Sequence, residues 1–169
     1  MSAHPANPGP FHAADVLAVV ARWLLAAVFI YMGATKAWHP EDFLKLVRQY
    51  GVVQPLLLNL VAATLPWFEI ICGLLLLAGV AVRGTALLLV AMLIPFSAMV
   101  VLRALELRGA GGLPFCAIAF DCGCGTGVVP VCRKLVENTV LVCLSAWLVC
   151  ARRPRLCVRP TLIAPSAPE

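Results

Sequence analysis

Apolar residues in this chain gather in four long blocks instead of recurring on one face at helical or strand spacing. The first covers residues 16–38, VLAVVARWLLAAVFIYMGATKAW, and the second covers 55–82 with Glu69 as its sole charge. The third, 84–102, has no charge, and the fourth, 131–151, has Arg133, Lys134 and Glu137 near its start and is apolar afterwards. A membrane crossing takes roughly 20 predominantly apolar residues, so all four blocks qualify. Backbone groups in lipid must be satisfied within the segment, and a run such as ICGLLLLAGVAV does not alternate, so helices are predicted and not barrel strands. Between the first two blocks lies HPEDFLKLVRQYGVV. There Phe43, Leu44, Leu46 and Val47 cluster at helical spacing among Asp42, Lys45, Arg48 and Gln49. Pro40 and Glu41 suit a first turn and Gly51 suits an end, which predicts a short helix lying in the interface. The expected fold is all-α: a polytopic four-transmembrane-helix bundle with that short helix between spans one and two.

Composition strengthens this reading. The 169 residues are 62% hydrophobic and 12% charged, with a mean hydropathy of +0.96. A soluble domain carries about twice that charged fraction, and one of this size cannot hide so much apolar surface in a single core. The expected organisation is a disordered N-terminus (1–15), one membrane domain (16–151) with a Cys-rich loop at 103–130, and a basic, Pro-rich tail (152–169). Residues 1–15 contain no Lys or Arg, so the first block reads as a retained span and not as a cleaved signal. Lys and Arg are nearly balanced between the two faces, but Arg152, Arg153, Arg155 and Arg159 crowd directly after the fourth block. That cluster favours cytoplasmic termini in a bacterial inner membrane and a periplasmic third loop, where disulfides persist.

The third loop carries the candidate chemistry. Of eight cysteines, Cys116, Cys122, Cys124 and Cys132 belong to it, and FDCGCGTG places two of them one residue apart between glycines. Cys72, Cys143 and Cys150 lie within spans, where a free Cys behaves as a small hydrophobe, and Cys157 lies in the tail. Three readings compete for the loop cysteines. In the first, Cys122 and Cys124 form a reversible disulfide across Gly123, a small strained ring of the easily reduced kind, with Cys116 and Cys132 as shuttle or resolving thiols. In the second, four thiolates hold a metal, although C-x5-C-x-C-x7-C departs from the usual zinc spacing, so no metal is expected. In the third, ordinary disulfides staple an exposed loop. Four cysteines allow three full pairings, and the sequence does not choose among them. The glycines do not form a phosphate loop, since the lysine is missing, and no haem-attachment motif or nucleic-acid signal is present.

Within the spans, Glu69 stands out in LPWFEIICG, because a buried acid is costly and needs a partner. Lys36, near the end of span one, and Arg133 and Asn138, early in span four, are the candidates to meet it beneath the loop. Gly33 and Gly73 allow close helix approach, Pro95 is placed to kink span three, and Arg22 is near enough to an interface to snorkel.

The ordered set Gly33-x-x-Lys36, Tyr50-Gly51, Leu65-Pro66-Trp67-x-Glu69-x-x-x-Gly73, Arg83, Cys122-x-Cys124-x-x-Gly127 and Arg133/Lys134…Asn138 resembles the MauE branch of the DoxX-like membrane proteins over residues 16–151. The resemblance implies a four-helix membrane protein tied to thiol–disulfide chemistry, with MauE linked to methylamine utilisation and to maturing a disulfide-rich enzyme subunit. Other DoxX-like proteins are tied to quinone-linked sulfur oxidation. The architecture also resembles vitamin K epoxide reductase, whose C-x-x-C is absent here. Gly125-Thr126-Gly127 stands where the family often has Phe-Gly, and Cys132 is an addition. The expected function is therefore a membrane thiol–disulfide oxidoreductase. Its site residues are Cys122, Cys124, Cys116 and Cys132, and Glu69, Lys36, Arg133 and Asn138 form a supporting polar cluster. Its partners are a periplasmic thiol protein and the bilayer, with a membrane quinone as candidate electron acceptor. The alternatives are a non-enzymatic assembly factor or membrane-complex subunit with structural disulfides and, more remotely, a solute carrier, for which spare mid-membrane charges are too few.

Overall fold

The computed structural model describes residues 13–49, 55–112, 114–121 and 127–150. They are mostly helical: α1 (Ala13–Trp38), α2 (Pro40–Gln49), α3 (Pro55–Ala78), α4 (Val82–Gly111) and α5 (Val131–Cys150). A 3-10 turn at Phe115–Ala117 and an antiparallel hairpin of β1 (Ala119–Asp121) and β2 (Val128–Pro130) connect α4 to α5. Three helical stretches, Asp15–Trp38, Asn59–Ala78 and Val82–Gly109, are long and apolar enough to cross a membrane, as expected of a multi-pass membrane protein. Their outward faces agree, since Trp23, Leu60, Ile71, Leu87 and Ile94 are exposed apolar side chains that water would not tolerate in such numbers. Helix α5, with three charges in its first two turns, is not among these stretches.

Two helix ends differ from the hydropathy pattern, each for a local reason. The second apolar block runs to residue 82, yet α3 stops at Ala78. Gly79 there takes a left-handed φ of 71°. The Gly79 N–H donates to the Leu76 carbonyl and the Val80 N–H to that of Leu75, a Schellman stop. Helix α4, in contrast, continues well past residue 102. Arg103, Ala104, Leu105 and Glu106 are strong helix formers although no longer uniformly apolar, and Arg103 pairs with Glu106 at 3.0 Å. Gly112, at φ 63°, ends it. Much of the 103–130 segment read as loop is thus helix and hairpin.

Helices α1 and α3 pack antiparallel, α5 packs on α4, and lesser contacts of α1 with α5 and of α3 with α4 join the two pairs. Glycine sets the first contact. A Cβ on Gly33 would stand 2.6 Å from the Pro66 carbonyl oxygen, and one on Gly73 would stand 2.6 Å from Ile30 Cγ1. The core has two parts. One holds Leu25, Phe29, Leu76, Leu89 and Leu148, and the other holds Met32, Val100, Ile118, Val129 and Val131 below the hairpin.

Candidate functional site

The hairpin end of the molecule is built from three constraints. The Val131 N–H, at the start of α5, donates to the Ile118 carbonyl at 2.9 Å and closes the base of the hairpin. Ile118 and Val129 point into the core and anchor it from within. Cys116 and Cys132 form a disulfide across it, with Cα atoms 5.0 Å apart. Of the four loop cysteines, then, two are bonded to each other and in this state offer no thiolate to a metal or a partner. Cys122 and Cys124 fall in 122–126, the segment joining β1 to β2, and lie outside the described residues, as do 1–12, Gly51 and the tail. Cys72 is free and buried, and Cys143 and Cys150 are free and exposed on α5.

Below the hairpin lies a polar layer. Lys36 Nζ on α1 donates to Glu69 Oε1 on α3 at 2.5 Å, both side chains about 5% exposed. The ammonium also lies 5.4 Å from the ring centroid of Phe43, a buried apolar residue of α2. The amphipathic helix therefore covers the ion pair with an aromatic face. Asn138 on α5 donates to Ser97 Oγ on α4 at 3.2 Å, and Ser97 donates to the Leu93 carbonyl. Glu69 Oε2 and Asn138 Oδ1 are buried with no hydrogen-bond partner among the described residues.

Of the expected polar cluster, Lys36 and Glu69 meet directly, while Asn138 joins α5 to α4 and does not reach the acid. Arg133 is not in the layer. It is largely exposed and pairs with Glu137 at 3.0 Å. Its neighbour Lys134 is the buried base of α5 and lies within electrostatic reach of Glu69. One residue is about 100° of helix rotation, enough to turn Arg133 outward and Lys134 inward, and Lys134 shares its face with Asn138 four residues on. That spacing was the available signal for Lys134. Ser97 and Phe43 carried no comparable mark.

A cavity of about 320 Å³ adjoins the ion pair. Lys36 and Glu69 are its charged wall, and Phe29, Met32, Leu65, Met92, Phe96 and Met99 supply most of the rest. Met32 and Phe96 also belong to the packed cluster that holds Ile118 and Val129, so the cavity lies one layer of side chains from the hairpin.

Compared with known families, residues 14–151 match the model described as methylamine utilisation protein MauE. No curated protein and no solved structure gives a significant match.

Proposed function

The chain belongs to the MauE family, membrane proteins associated with methylamine utilisation, and on that premise we propose that it is a membrane thiol–disulfide exchange protein acting through Cys122 and Cys124. The observation that carries this reading is the Cys116–Cys132 bridge. It occupies the two outer cysteines of the loop and leaves Cys122 and Cys124, joined through one glycine between β1 and β2, as each other's nearest partners in sequence. A partner thiolate attacks one sulfur of an oxidised Cys122–Cys124 pair, the other sulfur leaves as thiolate, and a second partner thiol resolves the mixed disulfide. The partner leaves oxidised and the pair leaves reduced. A periplasmic protein rich in disulfides is the fitting substrate, such as an enzyme subunit under maturation. In this reading α5 is the fourth span, both termini are cytoplasmic, and the hairpin faces the periplasm of a bacterial inner membrane.

The same bridge favours a second reading, in which the cysteines only staple the loop of a non-catalytic assembly factor. Trapping separates the two. In cells carrying Cys124→Ser, the exchange reading expects a mixed disulfide between Cys122 and a periplasmic protein, resolved by non-reducing electrophoresis. It also expects Cys122 and Cys124 of the unaltered chain to be found in both redox forms by differential alkylation. A pair that stays fully oxidised under mild reductant, with no trapped adduct, sinks the exchange reading and leaves the staple.

A further inference from the structure

We propose that the cavity between α1, α3 and α4 is a binding site for the head group of a lipid-soluble quinone, with Lys36 and Glu69 as its polar contacts. This rests on the thiol–disulfide reading, for which it supplies the electron acceptor. Four observations select the ligand class. The cavity lies among membrane-spanning segments and its remaining lining is apolar, so its occupant partitions into lipid. Its volume of about 320 Å³ suits a small ring system and leaves a long tail to the bilayer. Met32, Met92 and Met99 with Phe29 and Phe96 provide adaptable and flat contacts for such a ring.

The fourth observation is the polar wall. Glu69 Oε2 is buried and has no hydrogen-bond partner among the described residues, while Oε1 of the same carboxylate holds Lys36. An acyl chain in the cavity would leave that buried oxygen unpaired, which is costly for a charged acceptor. A ligand whose oxygens accept when oxidised and donate when reduced suits both groups: the Lys36 ammonium faces a carbonyl, and Glu69 Oε2 takes a hydroxyl hydrogen. The redox balance closes. Oxidation of the Cys122 and Cys124 thiols to one S–S bond releases two electrons and two protons, and reduction of the quinone to the quinol consumes the same two of each. Met32 and Phe96, shared by the cavity and the layer under the hairpin, put the cavity one layer of side chains from the strands that flank Cys122 and Cys124 in sequence.

The test uses the full chain in nanodiscs with decylubiquinone as probe, reading equilibrium binding and then quinol formation after the loop is reduced. Saturable binding is expected, and that of the reduced form, decylubiquinol, is weakened roughly tenfold or more by Glu69→Gln, which removes the charge-assisted hydrogen bond from its hydroxyl. Met99→Trp, which fills the cavity and leaves the ion pair in place, is expected to weaken it as much and keeps the proposal testable where Glu69→Gln fails to fold. Cys124→Ser should bind as the unaltered chain does and yield no quinol. Absence of saturable binding, binding indifferent to Met99→Trp, or equal displacement by decane overturns the site. Binding that Met99→Trp weakens, in a chain whose loop cysteines never cycle, upholds the site and overturns the exchange reading. Cycling cysteines with quinol formation untouched by Met99→Trp leave exchange standing and sink the site.

Discussion

Lys36 and Glu69 each depend on the other for their place in the membrane. Burying either charge alone is expensive, and the pair holds because the two are hydrogen-bonded, capped by Phe43 and within the field of Lys134. Glu69→Leu or Lys36→Met alone should therefore destabilise the protein by about 3–5 kcal/mol, because each strands the opposite charge. The double variant should regain most of that loss. Denaturant unfolding in detergent, followed by circular dichroism, measures all corners of the cycle. Equal, additive losses would show that the pair is not coupled. Lys36, Glu69 and Asn138 could be picked from the sequence because polar groups inside apolar blocks are costly enough to need a reason. The choice between Arg133 and Lys134 could not, because it turns on one step of helical rotation that hydropathy does not encode.

At the level of elements, the contact between α1 and α3 depends on missing side chains. Gly33→Val forces atoms against the Pro66 carbonyl and Ile70, all backbone or close-packed neighbours, and should part the helices and sharply lower folded protein in membranes. Gly84 is the control. It lies in a helix with open space where a Cβ would go, so Gly84→Ala should leave stability unchanged or raise it by up to about 1 kcal/mol. Quantitative immunoblotting and thermal unfolding of the two variants give the comparison. The hairpin makes a second case. Its bridge closes a span of 16 residues, and Cys116→Ser should cost about 3 kcal/mol of local stability, read as faster hydrogen exchange at Ile118–Val131 contacts. The helices were legible as apolar blocks, and their glycine contacts as small residues on facing spans. The hairpin was not, because three-residue strands give too short an alternation to register, and the pairing of Cys116 with Cys132 is set by tertiary closure that spacing alone does not determine. Helix α4 outran its apolar block because helix propensity and hydropathy part company after residue 102.

For the whole molecule, the architecture turns on the path of α5. A 20-residue helix is about 30 Å long, the thickness of the hydrocarbon core. Its three charges all lie in the first two turns, where Arg133 and Lys134 pair with Glu137 and Lys134 turns inward. Beyond them it presents Val140 outward and Asn138, Ser145 and Leu148 inward, the division a lipid-facing helix needs. If α5 crosses, the C-terminus lies on the same side as the α3–α4 turn and opposite the hairpin, and the proposed topology puts that side in the cytoplasm. A reporter active only in the cytoplasm and fused after residue 169 should then be active. Val128→Cys on the exposed hairpin strand should react with an impermeant maleimide in intact cells, and Gly84→Cys should not. A silent reporter with Val128→Cys still labelled would place the tail beside the hairpin and α5 along the interface. A silent reporter with Gly84→Cys labelled instead would invert the molecule and put the cysteines in a reducing compartment, where a stable Cys116–Cys132 bridge is not expected to persist.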